Sequence, residues 1–318
     1  MRTTANSALE LVLPATSANL GPAFDAAALA FGLYLNVRAH AALSFSIKAS
    51  GRDAEICGGL EKHLILITYR EVLEEQGKAV TPLALQIANE MPIGKGCGSS
   101  AAARLAGIAL AVHFGKLDWT NNRIVGEASY REHHPDNAAA CWIGGLAVAC
   151  MSSEREVQVV KIAPKGSWPL LLVVPSQPLP TEEARRVLPD HYSRSDAVSN
   201  VQNSMLLLAA LVQGRHELLA SALQDRIHQP YRARLCPLLP AMQQLVGKAG
   251  VLGVALSGAG PSVLAFLDPK HPVKKSKAAI ASYLNDHDLP AELFLTAIAE
   301  KGASEQQGWK KAHGRSHH

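Results

Sequence analysis

Residues 92–102 read Pro92-Ile93-Gly94-Lys95-Gly96-Cys97-Gly98-Ser99-Ser100-Ala101-Ala102: three alternate glycines, then two serines, then apolar residues at helical spacing. Leu105, Ile108, Ala109 and Val112 fall at i, i+3, i+4 and i+7, which predicts a helix over Ser99–Phe114 with one buried face and Gly115 as its stop. Glycine lets backbone N–H groups approach an oxyanion closely, and a helix start adds unpaired N–H donors at the positive end of its dipole. A turn of this kind at the mouth of a buried helix is suited to hold phosphate. It is not a Walker A loop, because no Gly-Lys in the chain is followed by Ser or Thr, and it is not a dinucleotide fingerprint, because Ser99 stands where the third glycine is needed. Taken alone, the stretch would equally suit an ordinary glycine-rich turn with Ser99 or Ser100 capping the helix.

The rest of the chain narrows the class. At roughly 100 to 200 residues per domain, 318 residues imply about two domains. The 31 Lys and Arg against 27 Asp and Glu leave +4, too small a surplus for a nucleic-acid partner. No run of 18 uninterrupted apolar residues exists, which excludes a helical membrane span. Cys57, Cys97, Cys141, Cys150 and Cys236 are odd in number and form no Cys-x-x-Cys pair, so reduced, mostly buried thiols are expected. Met1 to Glu10 lacks the long apolar region of a secretory leader, which points to the cytoplasm.

Periodicity mixes strands and helices. Leu9–Pro14, Tyr34–Ser50, Val157–Ile162, Leu170–Val174, Leu252–Leu256 and Ser262–Leu267 read as strands, and residues 62–76, 195–212 and 216–228 as helices. The Pro/Gly/Ser-bearing stretch 163–168 suggests a boundary nearby, giving domains 1–158 and 159–302 and a polar, disordered tail over 303–318.

Two further segments join the glycine loop: Pro14-Ala15-Thr16-Ser17-Ala18-Asn19-Leu20-Gly21-Pro22-Ala23-Phe24-Asp25, and the tight turn Ser257-Gly258-Ala259-Gly260-Pro261-Ser262. Three more stretches lie in register with them: His134-Pro135-Asp136-Asn137 ahead of Gly144-Gly145, Ala184-Arg185-Arg186-Val187-Leu188-Pro189, and His228-Gln229-Pro230-Tyr231-Arg232. With these six segments in this order the chain resembles the GHMP kinases (galactokinase, homoserine kinase, mevalonate kinase, phosphomevalonate kinase), most closely the homoserine kinase branch, from about residue 8 to about residue 300.

The resemblance implies an α+β, two-domain GHMP kinase fold, with an N-terminal domain like ribosomal protein S5 domain 2 and a ferredoxin-like C-terminal domain. It implies ATP-dependent phosphorylation of a small molecule, L-homoserine, with ATP phosphates on residues 92–102 and Mg²⁺ on Ser100 and Glu127, Glu132 competing for the latter place. A zwitterionic amino-acid alcohol needs cations for its carboxylate, acceptors for its ammonium and a polar contact at its hydroxyl. Arg185 and Arg232 match the carboxylate positions, Asp25 and Asp136 the acidic ones, and Asn19 and Asn137 the amide ones. Asn137, with Asp136, falls by the reacting hydroxyl, while His134 and Gly260 complete the substrate contacts. The chain departs from the family pattern at Ala23, where glycine is usual, at Cys97 in place of leucine, at the extra Lys95, and at His63 in place of asparagine near the adenine pocket. Two rival readings remain: another GHMP small-molecule kinase, of amino-acid-alcohol or mevalonate type, and a catalytically silent nucleotide-binding relative. A homodimer stays an open option.

Overall fold

The computed structural model describes residues 8–313; Met1–Ser7, part of the segment that lacks a leader pattern, and the last five residues of the tail lie outside the described residues. The first part of the chain runs β1 (Leu9–Ala18), β2 (Ala27–Ala41), β3 (Ser46–Gly51), α1 (Ala54–Gly58), α2 (Leu64–Glu75) and β4 (Leu83–Asn89). It continues with α3 (Ser99–Phe114), α4 (Asn121–Glu132), α5 (Asp136–Ile143), β5 (Leu146–Ser153) and β6 (Glu156–Ile162). The second part runs β7 (Leu170–Pro175), α6 (Thr181–Arg186), α7 (Arg194–Gln213), α8 (Leu219–Ala222), α9 (Gln229–Arg232) and α10 (Leu238–Gln243). It closes with β8 (Val251–Leu256), β9 (Val263–Leu267), α11 (Val273–Asp286), β10 (Ala291–Thr296) and α12 (Gln307–His313).

Two sheets organise these elements, as the expected α+β architecture requires. The first has the order β3-β4-β2-β5-β6 with β1 also paired to β2, and among the described residues only β3 and β4 run parallel. The second is antiparallel, β10-β7-β9-β8. Its β7, Leu-Leu-Leu-Val-Val-Pro, is buried through its first five residues, as an unbroken apolar run in a central strand must be. In the first sheet β4 alternates buried and more exposed positions, the period of a strand with one covered face.

The helix expected over Ser99–Phe114 is α3 to the residue. It is rich in alanine, the best helix former, and buried on most sides between α2, α5 and β1. Gly107 lets α2 cross it closely, since a Cβ there would stand 2.5 Å from the Ile65 carbonyl oxygen.

Several sequence expectations are corrected. The single strand over Tyr34–Ser50 is two: β2 ends at Ala41, Leu43 stands fully in solvent, and the chain turns to bring β3 alongside β4. The helix over residues 216–228 breaks after Ala222, because the Asp225 carboxylate accepts the backbone N–H groups of Ile227, His228 and Gln229 and offers the chain an alternative to continued helix. β6 runs across position 158 to Ile162, so the first sheet extends past the expected boundary.

The tail is ordered through His313. Phe31 bridges Ile298, Ser304 Oγ donates to the Trp142 carbonyl at 2.8 Å, and α12 packs on β1 with Trp309 buried against Trp142, ring centroids 4.9 Å apart. One large aromatic residue gives this otherwise polar stretch enough apolar surface to dock. Trp309→Ala is expected to lower unfolding stability by about 3 kcal/mol, read from urea denaturation at constant slope.

Candidate active site

The turn after β1 is held against its local preference. Asn19, Leu20, Gly21 and Asp25 have φ of 71°, 44°, 75° and 53°, and each left-handed non-glycine residue costs about 1 kcal/mol or more. Tertiary contacts hold it there: Leu20 is fully buried, Asn19 Nδ2 donates to the Gly258 carbonyl at 2.9 Å, and Asn19 Oδ1 accepts the Asp25 N–H at 2.9 Å. Asn19, expected to touch substrate, thus spends its amide shaping the turn that carries Asp25. Ala23 lies outside the left-handed residues of this turn, so its methyl carries none of the strain a glycine position would impose.

Gly94, Gly96 and Gly98 are all left-handed, with φ of 69°, 75° and 70°. A Cβ on Gly96 would stand 2.2 Å from the Ser257 carbonyl oxygen, and one on Gly98 1.9 Å from Thr16 Oγ1, so neither position tolerates a side chain. Gly98 itself caps α3; no serine hydroxyl fills the cap, and the first helical N–H groups are left without a side-chain partner. They lie at a cavity of about 470 Å³ lined by Ile93, Gly94, Gly96, Cys97, Gly98, Ser99 and Ser100. Pro92, Lys95, Ala101 and Ala102, counted with the loop from sequence, do not line it. The Cys97 thiol is fully buried, which pushes its pKa up to about 12.

One wall of the cavity is apolar, formed by Ile56, Leu64, Ile87 and Met91. His63 closes it at the head of α2; its Nε2 meets the Cys57 carbonyl at 3.1 Å, which makes Nδ1 the unprotonated nitrogen, and burial lowers its pKa.

The opposite chemistry comes from α5 and its approach. Asp136 is buried, accepts the Asn137 N–H at 2.7 Å and lies 2.7 Å from His134 Nδ1. Burial alone would depress the His134 pKa, but the hydrogen bond to Asp136 and the charges of Asp136, Asp25 and Glu132 outweigh it and raise the pKa. Ligand atoms of Asp25, His134 and Asp136 lie within 4.8 Å of one another. The Asn137 carbonyl oxygen accepts from Thr16 Oγ1 at 2.7 Å, which leaves its amide nitrogen as the group that can meet a ligand.

The second half of the chain supplies the cations. Arg185, at the end of α6, holds Asp25 bidentately at 2.8 and 3.1 Å. Arg232, on α9, is buried; its Nε donates to the Ala184 carbonyl at 2.9 Å and its Nη1 to His228 Nδ1 at 3.2 Å. Its partners among the described residues are carbonyls and an imidazole, so its charge meets no carboxylate directly. Burial, and then the nearby charge of Arg185, lower its pKa to about 10. Both guanidinium groups stand about equally far from the Phe24 ring, 5.5 and 5.4 Å from its centroid. His228 is fully buried, and its Nε2–H donates to the Gly21 carbonyl at 2.8 Å, so Nδ1 is free to accept from Arg232. Burial and the Arg232 charge keep this histidine neutral below the ordinary range.

Two sequence assignments change. Glu127 is fully buried away from the cavity, paired with Arg131 at 3.0 Å, Arg155 at 3.2 Å and Arg123 at 3.3 Å. The glutamate beside Ser100 is Glu132, which accepts from Ser100 Oγ at 2.8 Å and from Arg104 Nε at 2.6 Å and lines the cavity. Gly260 stands behind the turn, where a Cβ would lie 2.8 Å from Cys236 Sγ, and Gly258 and Ala259 line the cavity instead. The sequence reading missed Thr16, Phe24 and His228 as site residues, although all three lay inside segments already singled out.

The chain is similar to known proteins along most of its length. Residues 63–145 match the model for the GHMP kinases N terminal domain and residues 207–286 that for GHMP kinases C terminal. The homoserine kinase of Solibacter usitatus is 45% identical over 299 residues, 93% of this chain and 97% of that protein. The homoserine kinase of a Synechococcus strain is 34% identical, over 94% and 98%. The crystal structure of homoserine kinase from Cytophaga hutchinsonii shares the fold at a TM-score of 0.79 with 24% identity, over 95% and 98% of the two chains. The fold is shared more distantly with L. major mevalonate kinase, at a TM-score of 0.69 with 15% identity, over 95% and 100% of the two chains.

The neutral state of His228 has a pH consequence. Its native pKa is depressed, so the unfolded chain takes up a proton first as pH falls below about 6.5, and stability is lost there by up to about 1.4 kcal/mol per pH unit. His134, whose pKa is raised, works oppositely: its contribution is complete below about 6.5 and is lost as pH rises through its native pKa. In urea titrations across this range His228→Gln is expected to lose stability less steeply on acidification than the unsubstituted chain.

Proposed function

The chain belongs to the GHMP kinase superfamily, in its homoserine kinase family, and we propose that its cavity transfers the terminal phosphoryl group of ATP to the side-chain hydroxyl of L-homoserine, giving O-phospho-L-homoserine and ADP, a step of threonine biosynthesis. The observation that carries this reading is the pairing, around one cavity, of a phosphate-suited helix start with a bidentate Arg185–Asp25 ion pair. A zwitterion matches that pair charge for charge: its carboxylate suits Arg185 and Arg232, and its ammonium group suits Asp25 and Asp136. The apolar wall beside His63 suits the adenine ring.

Phosphoryl transfer asks for in-line positioning and charge neutralisation more than for covalent chemistry. The Asn137 amide, fixed by Thr16, donates a hydrogen bond that orients the acceptor hydroxyl but cannot take its proton at neutral pH. The hydroxyl oxygen forms the new P–O bond, the bond from phosphorus to the ADP oxygen breaks, and the hydroxyl proton passes to the transferred phosphoryl group. Ser100 and Glu132, hard oxygen donors in mutual hydrogen bond, fit Mg²⁺, which supplies neutralisation of phosphate charge when bound. A cytoplasmic setting suits both the free cysteines and the ATP requirement, and among the described residues no helix is long and apolar enough to cross a membrane.

ADP release from Mg-ATP, measured with L-homoserine, L-threonine, L-serine, mevalonate and no acceptor, is expected to be fastest with L-homoserine, with the product identified by mass; a faster rate on another acceptor overturns the substrate assignment. In the same assay Glu132→Gln is expected to raise the Mg²⁺ concentration for half-maximal rate about tenfold, while Glu127→Gln lowers stability by about 3 kcal/mol and leaves that Mg²⁺ dependence unchanged.

A further inference from the structure

Arg185 and Arg232 line the same cavity but are held in opposite ways. Arg185 is committed to a carboxylate, Asp25, through both of its terminal nitrogens. Arg232 is 1% exposed; its Nε goes to the Ala184 carbonyl and its Nη1 to His228 Nδ1, with the Gly258 carbonyl farther from Nη1 at 3.4 Å. Among the described residues no acceptor meets its Nη2, which leaves that nitrogen to meet a ligand.

An arginine can only donate, so whatever holds it must accept. A carboxylate that did so would cancel its charge, as Asp25 does for Arg185. An imidazole holds it without cancelling the charge, provided the ring is neutral and presents its unprotonated nitrogen. His228 is fixed in that form. Its Nε2–H donates to the Gly21 carbonyl at 2.8 Å, which puts the lone pair on Nδ1. The Phe24 ring stacks on it, with centroids 5.2 Å apart and planes at 30°. The Asp225 carboxylate, 3.5 Å from Nε2, is occupied by the N–H groups of Ile227, His228 and Gln229 at 2.8, 2.9 and 2.6 Å. Burial and the Arg232 charge outweigh the carboxylates of Asp225 and Asp25, and the ring stays neutral.

Gly21 and Phe24 belong to the same turn as Asp25, which faces the ammonium group of the acceptor. One rigid ring therefore ties the cation that faces the acceptor's carboxylate to the turn that faces its ammonium group. The geometry points to His228 as a specificity-determining positioning residue: acting through Arg232, it sets the preference for an acceptor that carries a carboxylate over an amino alcohol that lacks one. This inference rests on the reading of the cavity given above and adds to it the residue that keeps Arg232 both charged and in register.

The test compares L-homoserine with L-homoserinol, in which a hydroxymethyl group replaces the carboxylate. His228→Leu removes the acceptor for Arg232 and is expected to raise KM for L-homoserine about tenfold, while KM for L-homoserinol and for ATP move less than about twofold. His228→Phe, which keeps a ring to stack on Phe24, is expected to behave likewise. His228→Gln, whose amide offers an acceptor and a donor without charge, is expected to stay within about threefold of the unsubstituted chain for both acceptors. KM values do not depend on the fraction of chain that is folded, so partial misfolding does not imitate this pattern. Equal rises in KM for both acceptors in the Leu and Phe variants, or a Gln variant as impaired as they are, would overturn the role of His228. An unsubstituted chain with no preference for L-homoserine over L-homoserinol overturns the reading of the cavity itself, and the role with it.

Discussion

Three loops far apart in the chain are joined by hydrogen bonds to one another's backbone carbonyls, and the cavity exists because they are. The Thr16 N–H donates to the Cys97 carbonyl at 3.1 Å, the Ser257 hydroxyl to the Gly96 carbonyl at 2.7 Å, and the Gly258 N–H to the Ala18 carbonyl at 3.1 Å. Contacts this close leave no room for side chains, which is why Gly96 and Gly98 are bare at the points of crossing. The phosphate-suited turn is therefore defined by its neighbours as much as by its own sequence: the β1 turn lies against it on one side and the β8–β9 turn on another. Asn19 adds a side-chain tie between those two neighbours, so strain in one turn is balanced by a bond to the other.

The substrate end rests on charges that already satisfy one another. Arg185 and Asp25 pair across the two halves of the chain, and each is partly exposed, at 35% and 29% of its side chain. An incoming zwitterion exchanges this contact for two of the same kind, so binding need not desolvate an unpaired charge at either residue. Arg232 is prepared differently. It is buried with its fork held by the Ala184 carbonyl and the His228 ring, and because that ring is neutral the guanidinium keeps its whole charge for a ligand.

How much of this was legible from the residues follows from range. Alternate glycines ahead of an amphipathic helix announce a local structure, and α3 and its loop came out as read. Arg185, Arg232 and Asp25 are legible only through the family resemblance, since a lone Arg or Asp carries no local signal, and the structure gathers them at one cavity. Glu127 was misread although a local signal existed: Arg123 and Arg131 sit four residues either side of it, which is ion-pair spacing on a helix and claims the carboxylate before any metal can. Glu132, five residues on, points to a different face of α4 and so reaches Ser100. Thr16 and His228 act through another side chain across long sequence distances, Thr16 through Asn137 and His228 through Arg232, and no local pattern records such a role. Asp225 ends the helical reading of residues 216–228 by a bond pattern that periodicity cannot see.

The return of the C-terminal segment to the first sheet makes the second sheet an insert in the first. The chain leaves after β6, builds β7 to β10, and comes back at Ile298 to pair with Phe31 and lay α12 on β1. A part joined at one covalent crossing can swivel about a point, but one joined at two can turn only about the line through them. Packing adds to these two crossings: Leu172, Leu207 and Phe266 share one core with the first sheet and Asn200 donates to the Pro22 carbonyl, so the Asp25 and Arg185 sides are held together by contacts as well as by the chain.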